Sequence, residues 1–273
     1  MLKKQKPFER GAGVLLPVAS LPSPYGIGTF GKAAYELIDF LRAAGQSYWQ
    51  VLPLGPTGFG DSPYQSFSAF AGNPYFIDLD MLIGEGLLTK KEVKARKWGK
   101  TPDDVDYGTI YKERFKVLRL AASRSEHGQS ADYQSFCAEN PWLFDYALFM
   151  ALKEQHGGEG WQKWEIPLRM YQADAIAEAA EALAGEMNFW RFCQYKFFSQ
   201  WNALKLYANK NGIEIIGDIP IYVAMDSADV WAHSDLFRLD EEHKPLAVAG
   251  VPPDMFSATG QLWGNPLYDW ERM

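Results

Sequence analysis

Sulfur and histidine are scarce in this chain: two cysteines and four histidines among 273 residues. Cys137 and Cys193 stand in aromatic, helical surroundings without metal or redox spacing, so a disulfide framework and a CxxC site are both excluded, and each is expected to be a reduced core thiol. Free thiols favour the cytoplasm. His233 and His243 have no cysteine or second histidine at ligand spacing, and no His-Glu-x-x-His is present, which argues against zinc chemistry. Net positive charge is also missing. With 27 Lys and Arg against 34 Asp and Glu, the net charge is -7 and the isoelectric point about 5.2. Nucleic acid and anionic membranes would be repelled, so neither is an expected partner. No apolar run approaches bilayer length, and Gly13–Ala19, interrupted by Pro17 and preceded by Glu9, makes a poor signal peptide. The Gly-x-Ser-x-Gly elbow and the P-loop are absent as well. Gly26, Gly28 and Gly31 fit G-x-G-x-x-G, yet Pro22 and Pro24 lie between them and the preceding strand, and no carboxylate stands near Gln50. They are expected to allow close packing at a helix start instead of binding a dinucleotide.

Aromatic residues, by contrast, are abundant: ten Trp, fourteen Tyr and seventeen Phe make 15% of the chain. Many fall in one segment, Gly55–Tyr75, which follows the apolar run Tyr48–Leu54 and mixes glycine, proline, hydroxyls and rings. That density of turn formers predicts a long ordered loop at a strand end, a place where function concentrates. Ser62, Gln65 and Asn73 offer hydrogen bonds, and Phe59, Tyr64, Phe67 and Tyr75 offer flat faces. A pyranose, apolar on one face and hydroxylated at its rim, needs both.

The order of elements predicts an α/β fold. Gly13–Ala19 reads as a strand; Ala34, Leu37, Ile38 and Leu41 recur at helical spacing; Gln46–Leu54 reads as the next strand. Strand, helix, strand implies parallel pairing. Residues 80–211 read as mainly helical, after which Ile213–Val223 returns as a buried strand and Leu246–Val251 is a fourth apolar stretch. Three divisions follow: 1–79 with the first β/α units and the loop, 80–211 as a helical insertion, and 212–273 with the third strand and a second loop. Parallel units with functional loops after their strands suggest a TIM (β/α)8 barrel, incomplete in this chain, since a closed barrel needs eight strands.

Asp218 ends the third strand, where a barrel places ligand-facing groups. Asp226-Ser-Ala-Asp229 is expected to cap a short helix, in preference to a calcium site. The Gly250–Pro266 segment repeats the first loop's formula, with Asp254, Gln261, Trp263 and Asn265. Two such loops on one barrel face would form a cleft; the other reading is an Ω-loop packed on itself.

Together, Tyr48-Trp-Gln-Val-Leu-Pro-Leu-Gly-Pro-Thr-Gly58, Asp61-Ser-Pro-Tyr-Gln-Ser66, Gly217-Asp-Ile-Pro-Ile-Tyr-Val223, Gly250-Val-Pro-Pro-Asp254 and Trp263-Gly-Asn-Pro-Leu-Tyr268 resemble the 4-α-glucanotransferases of glycoside hydrolase family 77, over nearly the whole chain. The resemblance implies a cofactor-free retaining transfer of α-1,4-glucan segments to an acceptor's 4-hydroxyl, with maltooligosaccharides, starch or glycogen chains as partners. It implies that Tyr64 stacks on the donor sugar, that Asp218 binds its hydroxyls, and that Ser62, Asp254 and Trp263 line the cleft; Gln261 and Asn265, the amides of the second loop, are taken as further substrate contacts. Phe59 replaces a tyrosine that some relatives use in an accessory glucan contact. The family's Arg-x-Asp-His and Glu-Asp-Leu segments, which carry its nucleophile and acid/base, do not occur; Arg238-Leu-Asp240-Glu241 matches a polar turn instead. No residue is therefore assigned as catalytic. The chain is expected to be an N-terminal portion whose nucleophile and acid/base lie past Met273, inactive alone, and a non-catalytic glucan-binding fragment is the alternative.

Overall fold

A computed structural model describes residues 10–101 and 103–273. In chain order, its regular elements are β1 (Gly13–Leu15), α1 (Lys32–Ala43), β2 (Tyr48–Gln50), α2 (Leu79–Gly84), α3 (Lys90–Lys94), α4 (Tyr107–Arg124), α5 (Ala131–Glu139), α6 (Trp142–Gln155), α7 (Ile166–Arg169), α8 (Ala173–Ala182), α9 (Ala184–Lys210), β3 (Glu214–Ile216), α10 (Ala228–Ala232), β4 (Val248–Val251) and β5 (Gln261–Pro266).

β1, β2 and β3 form a parallel sheet in that spatial order, with Tyr48 opposite both Gly13 and Glu214. Parallel neighbours require crossovers, and α1 and α9 supply them, packing on one another over the same side of the sheet. Ala34, Ile38 and Leu41 of α1 are buried at helical spacing, and Trp49 of β2 is enclosed beneath them with its indole N–H donating to the Leu16 carbonyl at 2.8 Å. Gly28 sits where a Cβ would fall 1.8 Å from the Val18 carbonyl oxygen, which is the close packing expected of the glycine motif.

The helical stretch 80–211 is continuous with this core. α9, about 40 Å long at 1.5 Å per residue, packs Trp190 against Phe115 of α4 and Tyr146 of α6 early in its course, buries Leu204 and Ala208 later, and also contacts α1 and β3. One contiguous set of buried side chains runs from Val18 through Trp190 to Phe237.

Two expectations change. The third strand is short and exposed, not buried: Ile216 lies at the sheet's edge among the described residues, and Ile219 and Ile221 beyond it are 83% and 77% exposed. Only one face of β3 is covered, by α9, so an apolar sequence does not become an enclosed strand. The fourth apolar stretch forms β4, but it pairs antiparallel with β5, Gly250 opposite Leu262, and does not join the parallel sheet. Its partner is ten residues away, and a short loop can make only the antiparallel ladder. Of the cysteines, Cys193 is buried and Cys137 only partly so; both are free.

Candidate glucan-facing site

The loop expected after β2 is present, and it divides into an inner and an outer part. Its base is closed by the Asn73 N–H donating to the Leu54 carbonyl at 2.8 Å. Inside, Asn73 is buried, its amide oxygen accepting from the Tyr75 N–H at 3.0 Å, and Tyr75 is buried beneath it. Those two residues were expected to offer a hydrogen bond and a flat face to a sugar; both are buried and hold the loop together, because a loop this long must satisfy its own backbone groups, and they border a cavity on its far side and not the Asp218 side. The fully enclosed Arg114 of α4 helps by donating to the carbonyls of Tyr75 and Ile77; burial pushes its pKa down to about 10, still charged at neutral pH. Phe67 packs on Phe149, with the Lys153 ammonium 5.0 Å from its ring.

The outer part presents Ser62–Gln65. Tyr64 is 43% exposed, and its hydroxyl donates to Asp218 Oδ2 at 2.7 Å, across from the end of β3. Accepting that proton holds the phenol's pKa above its ordinary value, so the hydroxyl stays a donor. Ser62 forms the turn that presents Tyr64: its hydroxyl accepts from the Tyr64 N–H at 3.3 Å and its carbonyl from the Gln65 N–H at 3.2 Å. The Phe59 side chain lies outside the described part of the chain.

The second loop reaches the first through Asn265. Gln65 Nε2 donates to Asn265 Oδ1 at 3.2 Å, and Asn265 Nδ2 donates to the Val223 carbonyl at 2.8 Å, so one buried amide ties both loops to the segment after Asp218. Trp263, 42% exposed, leans on Tyr222 with ring centroids 6.4 Å apart, and Tyr222 stacks on Tyr268 at 5.9 Å. Gln261 projects on the same face of β5 as Trp263, two residues on, and accepts from its indole N–H at 3.0 Å. Asp254 is different. Its carboxylate accepts from the Phe256 and Ser257 N–H groups at 2.9 and 2.8 Å and so shapes its own loop tip, where Met255 and Phe256 stand almost fully exposed. The structure thus brings together Tyr64, Asp218, Asn265 and, through Tyr222, Trp263 and Gln261. Asp254 makes its bonds locally.

Two cavities flank the first loop. One, about 340 Å³, opens beside Asp218, Tyr222 and Tyr268 and runs under Ala69–Gly72 to Phe198 and Trp201 of α9. The other, about 620 Å³, lies on the loop's far side between Thr57, Asp61, Tyr75, Tyr107 and Tyr111.

Sequence inspection missed several residues that hold this arrangement. The Asp226–Asp229 segment does cap a short helix, through Ser227, which accepts from the Val230 N–H at 3.3 Å at the start of α10, but its two carboxylates have further partners that the sequence does not reveal. Asp226 pairs with the largely buried Lys153 at 2.5 Å, and Asp229 accepts from the Ala69 N–H at 2.9 Å. Gln194 and Gln200, buried on α9, were also missed; the available signal was an amide pair among the apolar positions of an aromatic helix. Asp240 occupies a tight turn, accepting from the Glu242 and Lys244 N–H groups at 2.9 and 2.8 Å, which holds its pKa below the usual carboxylate range.

Comparison with known proteins bears on this geometry. Among characterised relatives, a 4-alpha-glucanotransferase of Thermus thermophilus is 53% identical over 269 residues, and one of Clostridium butyricum is 52% identical over 255. These alignments take in 96% and 93% of this chain, but the chain spans about half the length of either relative, 52% in each case. Among solved structures, the amylomaltase from Streptococcus agalactiae in complex with acarbose superposes with a TM-score of 0.93 at 44% identity, over 96% of this chain and 54% of that one. Amylomaltase from Corynebacterium glutamicum, only 20% identical, shares the fold with a TM-score of 0.72 over 94% of this chain and 36% of its own. The family model described as 4-alpha-glucanotransferase matches residues 16–273, and the chain belongs to that family, glycoside hydrolase family 77.

Proposed function

We propose that this chain contributes the donor-side wall of the glucan cleft in a cytoplasmic 4-α-glucanotransferase, which moves α-1,4-glucan segments to an acceptor 4-hydroxyl by retaining double displacement. β1, β2 and β3 act as consecutive staves of a (β/α)8 barrel, with residues 80–211 as a largely helical elaboration between the second and third. The observation that carries the reading is the Tyr64–Asp218 bond: an exposed ring and a carboxylate held together at strand ends, facing the hairpin that bears Trp263 and Asn265. A ring beside a hydrogen-bonding carboxylate suits a sugar's apolar face and hydroxyl rim. Ser62 shapes that wall, and Gln261 orients the Trp263 indole. Stacking one sugar face of roughly 60 Å² on Trp263 would contribute about 1.5 kcal/mol, so affinity accumulates along a polymer. Asp254 serves by rigidifying the tip that carries Met255 and Phe256. No nucleophile or acid/base is assigned within the chain. The larger cavity, adjoining Gly58 and Asp61, fits the accessory glucan contact that the family resemblance associates with position 59.

The test is a titration of the 273-residue chain with maltoheptaose, followed by tryptophan fluorescence. Saturable quenching is expected, weakened at least about tenfold by Tyr64→Ala, the loss that removing one stacked ring and its bonded hydroxyl implies. Wild-type affinity in Tyr64→Ala would sink the assignment of the wall. Conversion of maltotriose to longer glucans by this chain alone would show that catalytic carboxylates have been overlooked within it.

A further inference from the structure

The sugar-facing loop has little regular structure of its own, yet Tyr64 meets Asp218 at a defined distance. Something outside the cleft must fix it. Two side chains from separate elements grip the loop's return limb. Gln194, fully buried on α9, accepts from the Gly72 N–H at 2.7 Å and donates to the Gly72 carbonyl at 2.9 Å, pairing with that residue as a neighbouring strand would. Gly72 permits this approach, since a Cβ there would stand 2.1 Å from the Phe197 ring. Asp229, at the start of α10, accepts from the Ala69 N–H at 2.9 Å, while the adjacent Ala228 N–H donates to the Phe67 carbonyl at 2.9 Å.

We infer that Gln194 and Asp229 are positioning residues for sugar binding, setting the place of Tyr64 relative to Asp218; the inference rests on the glucan reading above. The reason lies in connectivity. α10 follows Asp218 on the same chain segment, so the Asp229–Ala69 bond is a second tether between the two segments that Tyr64 and Asp218 already join. α9 precedes β3 in the chain and α10 follows it, so Gln194 and Asp229 hold the loop from the two chain segments that flank that strand. Neither side chain lines the cavity beside Asp218. A loop pinned at Gly72 and Ala69 carries Tyr64 in one place, and displacements near 1 Å in a binding constellation cost about a hundredfold in the limit.

The experiment compares Gln194→Met, Asp229→Ala, Asp229→Asn and Leu204→Ala in the 273-residue chain, reading the Kd for maltoheptaose, thermal stability and amide hydrogen exchange. Leu204 is buried on α9 ten residues beyond Gln194 and serves as a purely structural control. Gln194→Met and Asp229→Ala are expected to weaken maltoheptaose at least about tenfold and to speed exchange within residues 55–76. In Asp229→Asn the amide oxygen still accepts from Ala69, so affinity should stay within about twofold of wild type. Leu204→Ala should lower stability and leave Kd alone. The inference is overturned if Leu204→Ala weakens binding as much as the clamp variants do, or if Asp229→Asn falls with Asp229→Ala. Should the wild-type chain bind no maltoheptaose, the glucan reading fails separately, and exchange confined to 55–76 still decides whether the clamps position the loop. If Gln194→Met does not fold, Gln194→Glu, which keeps the acceptor for the Gly72 N–H, takes its place.

Discussion

A carboxylate that accepts a backbone N–H and is partly buried is under opposing influences, and at Asp229 burial wins: its pKa lies above the ordinary value, although the bonds from Ala69 and its own backbone pull it down. The sign of the consequence is fixed by linkage. A carboxyl whose folded pKa is raised contributes its stability while protonated, below the unfolded value of 3.8, and loses it as pH rises through the folded pKa. As pH rises through that range the charge gained at Asp229 therefore works against the fold, and Asp229→Asn, which keeps the acceptor and removes the charge, is expected to gain in melting temperature relative to wild type. The advantage should shrink toward nothing as pH falls below the carboxylate range, and thermal melts across that range would check it. A deficit for the variant at pH 7 would mean that attraction to His233 outweighs burial.

At the scale of elements, the loop and α9 meet through contacts that tolerate no added volume. Gly72→Ala would drive a methyl into Phe197, which itself packs edge-on against Phe30 at 5.0 Å and against Phe198 at 5.1 Å, so the ring can yield only by breaking those contacts or by moving into the cavity beside Asp218. Overpacking of this kind costs about 1–3 kcal/mol, and here it also pulls Gly72 from Gln194. Chemical denaturation of Gly72→Ala should show that loss, and an unchanged midpoint would mean that the loop can retreat from α9 freely. The hairpin of β4 and β5 illustrates another property of elements. Its outer strand is exposed from Gln261 to Gly264, and it is fastened to the rest by Asn265 and by the Tyr222–Tyr268 stack.

The molecule as a whole behaves as one packed body in its core. Buried side chains from residues 18–77, from the helices between 80 and 211, and from 213–237 belong to one contiguous cluster, and α9 is the shared wall. Unfolding is accordingly expected in a single transition, with tryptophan fluorescence and far-ultraviolet circular dichroism changing together. Separate transitions would identify the helical stretch as an independently stable unit.

Much of this was legible beforehand, and the reason differs by feature. The helical spacing of Ala34, Ile38 and Leu41, the strand at Trp49 and the turn formers after Leu54 are local properties, set by side-chain periodicity and backbone preference, and they led directly to two parallel units and a long loop. Asp218 and Tyr64 could be picked out one at a time by position and chemistry. That the two are bonded could not, because 154 positions separate them. Asn73 and Tyr75 looked like ligand groups since hydrogen-bonding capacity and aromaticity read the same whether a sugar or the protein uses them; burial alone tells them apart. Asp226 and Asp229 looked like caps for the same reason. The amino-acid order by itself determined the elements, the family and the presence of sugar-compatible side chains, all of which depend on short stretches. Which of those side chains face outward, and which of them hold the loop still, was decided only when α9 and α10 packed against it, since burial and pairing across long sequence separations are properties of the tertiary arrangement.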